Sequence, residues 1–270
     1  MIKKILLYSF LIITSILTLI PFIWMIGASF MFDGTASVFP PIFLPDPFTL
    51  TQYQILFERL SVWRNFFNSL FLSSIVTLLY ITFTSMAGYA FAKYRFTGKK
   101  VLFNLLLSSM IIPSQVTMLP LFLLLKSMGF INTYMAIIIP GLANIFGIFL
   151  IRQYCISIPD SLIEAARMDG ATDFQIYRKV ILPLAIPILV TLAIFSFLGT
   201  WNDFLWPLIA LTDDSMYTLP VALANLMLEH TKDPELMMAG SVVTIIPVII
   251  VFLALQKYYI KGIMMGSVKE

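Results

Sequence analysis

The chain has 270 residues, 60% of them hydrophobic and only 11% charged, with a formal net charge of +3 and a single cysteine. Soluble domains hold about 45–50% apolar and about 25% charged residues, so water is the wrong solvent for this chain. The slight positive excess marks no nucleic-acid surface, Cys155 has no partner for an internal disulfide, and no cluster of His, Cys or carboxylates has metal-ligand spacing.

Residues 5–32, 65–92, 101–125, 127–151, 180–202 and 236–256 contain no Asp, Glu, Lys, Arg or His. Each run exceeds the roughly 20 residues that cross a bilayer core. A segment in lipid must satisfy its own backbone polar groups, so these runs predict helices and not open strands. The expected fold is an all-α integral membrane protein of one domain, with six transmembrane helices at about 5–30, 66–92, 101–125, 133–151, 181–206 and 236–257.

The first span follows Lys3 and Lys4 and ends near Gly27-Ala28-Ser29, the flanks of a secretory signal. Its apolar run is well beyond the 7–15 residues of such a signal, and it is read as retained. Residues 33–64 form an outer loop in which Pro40, Pro41, Pro45 and Pro47 predict irregular structure. The connection at 93–100, Lys-Tyr-Arg-Phe-Thr-Gly-Lys-Lys, is a short basic turn, read as an orientation anchor without chemistry. Pro113, Pro120 and Pro140 fall in spans three and four, where prolines often mark bends beside a cavity. With the N-terminus inside, 13 of the 17 Lys and Arg residues lie on the inner side, leaving Arg59, Arg64, Lys126 and Lys232 outside. The basic bias therefore puts both termini in the cytoplasm of a multi-pass protein of the cell membrane.

Between spans four and five, residues 152–179 carry eight charges: Arg152, Asp160, Glu164, Arg167, Asp169, Asp173, Arg178 and Lys179. This loop, with limits at 152–180, cannot lie in lipid, yet its helix signals are dense. Pro159 suits a first helical position, Asp160 and Glu164 favour the positive end of the dipole, and Gly170 supplies a stop, so a helix is predicted over about 159–168. Thr172 and Gln175 have capping-box spacing for a second helix through Tyr177, ahead of Pro183 and Pro187. Leu162, Ala165, Ala166 and Met168 have little bulk at the alanines, which suits a docking knob for another protein. A surface helix with Leu162, Ile163 and Met168 in the membrane interface fits the same residues.

Glu164-Ala165-Ala166, Asp169-Gly170-Ala171, Leu182-Pro183 and Pro187 resemble the signature loop of permease subunits in binding-protein-dependent ATP-binding-cassette importers. Tyr177 and Val180 stand where that pattern more often has phenylalanine and isoleucine. Asn68-Ser69, Gly88-Tyr89-Ala90-Phe91-Ala92, the run Trp201 to Pro207 and the tail from Gly262 to Lys269 are similar to the carbohydrate branch, and to the smaller six-span permease of maltose-type transporters. The resemblance implies a type I importer permease bundle with a cytoplasmic coupling helix, in which Glu164, Ala165, Ala166, Asp169 and Gly170 meet the ATPase. It also implies a second permease subunit, two ATP-binding subunits, an extracellular solute-binding protein and a carbohydrate cargo. ATP and Mg would be used by the partner ATPase, and no cofactor, metal or catalytic residue is assigned to this chain.

Two further sites stay open on the residues alone. Asn202 and Asp203 form either a cavity-facing polar pair, with Trp201 and Trp206 to stack on a sugar ring, or part of an interfacial belt. The outer loop 211–235 is either a solvated connection or, by resemblance over 228–235, a contact for the binding protein through Glu229, Lys232 and Asp233. An amino-acid or peptide importer shares the coupling loop. Ion coupling fits less well, because the six span cores carry no ionisable group. An enzyme would need a nucleophile with a base, and no phosphate-loop sequence is present.

Overall fold

The computed structural model describes the backbone of residues 2–142, 144–229 and 233–267, and the side chains of 3–142, 144–226, 233–254 and 256. In chain order the helices are α1 (Ile2–Ala28), α2 (Thr51–Arg59), α3 (Val62–Lys93), α4 (Lys99–Ser109), α5 (Ser114–Ser127), α6 (Met135–Gly141) and α7 (Ile145–Ser157). They continue as α8 (Asp160–Met168), α9 (Asp173–Ile176), α10 (Leu182–Trp201), α11 (Leu205–Ala210), α12 (Leu219–Glu229) and α13 (Pro234–Ser267). No strand occurs among the described residues. Five stretches are long and apolar enough to cross a membrane, namely Lys3–Ala28, Val62–Lys93, Met135–Ser157, Asp173–Trp201 and Pro234–Ala254, and α4 with α5 makes a sixth if a bent pair counts as one span.

The chain divides into two compact units, residues 1–65 with 219–249 and residues 66–218 with 250–270. In the first, the α1 side chains are exposed over most of its length, as lipid contact requires, and burial begins only at Gly27, continuing through Ala28, Ser29 and Met31. The loop after α1 is pinned by polar contacts. Gln52, fully buried on α2, donates to the Met31 carbonyl and to the Asp33 carboxylate, while Phe30 stacks on Phe48 at 4.6 Å between ring centroids. Buried Glu235, in the first turn of α13, accepts the Ala36 N–H at 2.6 Å.

In the second unit, α3 and α7 pack closely because small residues let their backbones approach. A Cβ at Gly88 would come within 2.6 Å of the Ile151 side chain, and one at Gly147 within 2.1 Å of the Tyr80 hydroxyl. The run expected as one continuous span over 101–125 is instead two helices meeting at 106°. Pro113 explains the break: it has no N–H to continue the α4 ladder and disfavours helical backbone at Ile112 before it. Span four also differs in extent, since α7 runs on past 151 to Ser157. Arg152 is therefore a helical residue, its Nε donating to the Phe91 carbonyl at 3.2 Å and its guanidinium 4.2 Å above the Phe103 ring. The following loop begins at Ile158.

Two asparagines tie the far ends of this unit. The Asn68 amide donates to the Ser215 and Tyr217 carbonyls at 3.0 Å each and its oxygen accepts the Tyr134 hydroxyl at 2.8 Å. Asn132, at φ 59°, accepts the N–H groups of Thr212 and Asp213 at 2.9 Å.

Candidate functional site

The polar loop folds as α8, a tight turn and α9, as its capping chemistry dictates. Asp169 is the C-cap of α8, and Gly170 at φ +80° lets the chain reverse: Ala171 N–H reaches the Ala166 carbonyl and Gly170 N–H the Arg167 carbonyl, each at 3.0 Å. This is a Schellman closure, which needs the left-handed conformation that glycine adopts without a Cβ penalty. Thr172 then accepts the Gln175 N–H at 3.3 Å while Gln175 accepts the Thr172 N–H at 2.8 Å, the capping box in full. Arg167 reaches across the turn to Asp173 at 3.1 Å. The Asp173 carboxylate holds the Arg167 guanidinium above its ordinary value.

The loop is fastened to the spans at both ends. Lys93, closing α3, donates to the Ile158 carbonyl and to Asp160, each at 2.6 Å. The hydrogen bond and charge of Lys93 hold the Asp160 carboxyl below the usual carboxylate range. At the other end, the Tyr177 ring stacks on Tyr89 at 5.8 Å and its hydroxyl meets Ser85 Oγ at 2.7 Å. Residues Tyr177–Ile181 adopt a π turn. Leu182 closes it with its N–H on the Tyr177 carbonyl, and Pro183 after it cannot supply the next helical N–H, which accounts for the wider turn before α10.

The residues of α8 divide between two faces. Ile163 is 6% exposed and lies in one cluster with Tyr80, Tyr89, Ile151, Cys155, Ile158, Ile176, Tyr177, Ile181 and Leu192, against which Ala166 also packs. Glu164, Ala165, Met168, Asp169 and Gly170 are exposed, Met168 by 88%. Of the expected coupling residues, four stand on the open face, while half-buried Ala166 supports α8 from below. The membrane-interface reading of this helix places Ile163 in the interface, but its side chain points into the protein's own core. The separation was not visible in the sequence because Leu162 and Ile163 are equally apolar neighbours.

The expected pathway residues sit at a break in the run 181–206. The helix ends at Trp201, and α11 begins at Leu205. Trp201 is 0% exposed, edge-on to Phe66 at 5.6 Å and stacked on Phe197 at 6.0 Å, so it offers no free face to a ring. Trp206 is also buried, and its indole N–H donates to the Ala136 carbonyl at 2.9 Å. Asn202 is exposed; Asp203 is half-buried, its Oδ1 3.4 Å from the Trp206 N–H at the start of α11.

Of the expected binding-protein contacts, Lys232 and the Glu229 side chain lie outside the described residues, as does His230. Asp233 caps α13 by accepting the Leu236 N–H at 3.1 Å. Its carboxyl is pushed up by burial, with Asp33 and Glu235 adding to the rise. Among the described residues no group of three His, Cys, Asp or Glu has the arrangement of a metal site.

Residues 81–264, which contain the whole polar loop, match the family described as binding-protein-dependent transport system inner membrane component. The chain is 40% identical over 229 residues to the arabinooligosaccharides transport system permease protein AraQ of Halalkalibacterium halodurans, covering 84% of this chain and 82% of that one. It is also 40% identical over 226 residues to the protein of the same name in Bacillus subtilis, covering 83% and 80%. Among solved structures, a chain of a bacterial ABC transporter involved in the import of the acidic polysaccharide alginate superposes with TM-score 0.84 at 29% identity, covering 96% of each chain.

Proposed function

The chain belongs to the family of binding-protein-dependent transport system inner membrane components, a permease subunit of an ABC importer and not an enzyme, and from that premise we propose that it passes an oligosaccharide through the membrane. The observation that carries the mechanism is the division of α8. Its exposed face, Glu164, Ala165, Met168, Asp169 and Gly170, is free to meet another protein, while Ile163 is embedded in the core shared by α3, α7 and α10. A push on the open face therefore moves the spans. That face would dock on an ATPase subunit, which would bind ATP and Mg, so that closure around nucleotide is converted into rearrangement of the bundle.

The carbohydrate assignment is supported by the two relatives named for arabinooligosaccharides and by the likeness to an alginate importer chain. The remaining assembly is proposed on the same footing: a second permease, a pair of ATPase subunits, an extracellular solute-binding protein, and both termini of this chain in the cytoplasm. Asn202 and Asp203 are proposed on the pathway side of the break after Trp201, with buried Trp201 fixing the turn that presents them. Asp233, with Glu229 and Lys232, is proposed to face the binding protein. The test is ATP-driven uptake in proteoliposomes containing the reconstituted importer and its binding protein, offered arabino-oligosaccharides, other glycans, polyols and amino acids. Uptake of an oligosaccharide is expected; uptake of amino acids alone overturns the cargo.

A further inference from the structure

The basic turn at 93–100 builds more than an anchor. Beside it lies a cavity of about 750 Å3, lined by Phe96, Lys99, Lys100, Phe103, Asn104 and Arg152 among others. Every charged residue in that lining is a cation, and no carboxylate faces in. The volume lies within the ordinary range for small-molecule sites, about 300–1,000 Å3.

The cations are held in place but not neutralised. Arg152 spends its Nε on the Phe91 carbonyl and lays its guanidinium plane on Phe103, while its two terminal nitrogens have no hydrogen-bond acceptor among the described residues. Lys99 donates to the Tyr94 carbonyl at 2.8 Å and the Ala92 carbonyl at 3.3 Å. Lys100 is exposed and makes no ion pair among the described residues. All three charges thus converge on one concavity, with fixed carbonyl contacts that orient two of them. Gathering like charges is unfavourable unless an anion joins them.

The surroundings select the anion. The cavity lies where α3 ends and α4 begins, at the end of the apolar stretches, and on α4 Val101 is 65% and Leu105 63% exposed, one helical turn apart on one face. A soluble anion would gain nothing from that aliphatic strip. A phospholipid would seat its phosphate among the cations and run an acyl chain along Val101 and Leu105. We propose that this cavity binds the headgroup phosphate of an anionic phospholipid, at the same end of the bundle as the loop that Lys93 fastens.

The complete importer, purified and placed in nanodiscs of phosphatidylglycerol with phosphatidylcholine, tests this by native mass spectrometry of the lipid retained on the permease. Wild type is expected to retain phosphatidylglycerol over phosphatidylcholine, less so as salt is raised. Lys100→Gln, at an exposed side chain, is expected to lower that retention about fivefold and Lys99→Gln with Lys100→Gln about 25-fold, at roughly one fivefold step per cation. Unchanged melting temperature for Lys100→Gln shows that the loss is local. Equal retention of the two lipids, or a Lys100→Gln variant that holds phosphatidylglycerol like wild type, overturns the site. Displacement of the lipid by inorganic phosphate at millimolar concentration overturns the lipid and leaves a soluble-anion pocket.

Discussion

Substitution of Gly170 separates the backbone reversal this residue makes from the room it is proposed to leave for a partner. At φ +80° a residue with a Cβ pays about 1–2 kcal/mol for the left-handed conformation. A Cβ there meets no atom of the chain within 4 Å, so that backbone cost is the whole cost within the chain. Gly170→Ala and Gly170→Trp should therefore loosen the end of α8 equally, raising amide exchange of Asp169 and Ala171 by about 5- to 30-fold at one decade per 1.4 kcal/mol. Gly170→Asn should lie between them and wild type, because asparagine tolerates this conformation. ATP-driven uptake should divide the pair: Gly170→Ala is expected to keep most of it, whereas the indole of Gly170→Trp would stand on the proposed docking face and uncouple hydrolysis from transport. Equal uptake by the alanine and tryptophan variants, with equal exchange, would refute the docking role of the turn.

Four other outcomes follow from single contacts. Tyr177→Phe removes the 2.7 Å bond to Ser85, which still donates to the Thr82 carbonyl, and should lower stability by about 1 kcal/mol in a thermal melt. Trp206→Phe strips the Ala136 carbonyl of its buried donor and should cost more, about 1–3 kcal/mol in the same melt. Asp203→Ala should destabilise the break between α10 and α11 in a melt while Asp203→Asn, which keeps an acceptor for Trp206 N–H, should not; at that unchanged stability Asp203→Asn is expected to alter cargo kinetics, and unchanged kinetics would overturn the proposed pathway position. The Asp160 carboxyl is lowered by Lys93, so its contribution to the loop is complete above the ordinary carboxylate value of about 4 and is lost as pH falls through the lower folded value. Limited proteolysis of the 158–172 segment should thus be unchanged from pH 7 to about 5 and rise only below about 4; a rise near neutrality would point to another group.

How far the sequence reached depends on how local the governing physics is. Lipid demands about 20 apolar residues in a row, so the spans were legible as runs. Capping is settled by residues three or four apart, so the α8 stop at Gly170 and the Thr172–Gln175 box were legible too. Pro113 carried a signal for a bend, but its 106° size is set by where α5 packs, which no local pattern states. Trp201 looked available to a sugar because its partner Phe66 lies 135 positions earlier in the chain, and only folding brings the two rings to 5.6 Å. The extension of α7 through Arg152 was hidden by its charge, which ends an apolar run but is carried by a carbonyl and an aromatic face once the helices are packed.

If the loop docks as proposed, magnitudes decide which contacts would carry motion from it into the spans. The visible ion pairs are poor candidates: Arg167 and Asp173 are each 55% exposed, and Asp160 is 75% exposed where it meets Lys93, so water and salt screen both. A buried Ile contributes about 1.5–3 kcal/mol relative to exposure, and Ile163 is 6% exposed in a cluster that joins α3, α7 and α10. An apolar anchor of that kind is non-directional, so it holds while α8 tilts, where a hydrogen bond would break. The far end is stiffer: Tyr177 is clamped by Tyr89 and Ser85, and the π turn that follows leads straight into α10. On the proposed docking role, force applied at Met168 would be taken up by Ile163 as a pivot and delivered through Tyr177 along α10. Ile163→Ala should then reduce coupled uptake at unchanged membrane insertion, and Arg167→Ala should leave it near wild type; the reverse ranking would mean that the ion pair, not the apolar anchor, transmits the stroke.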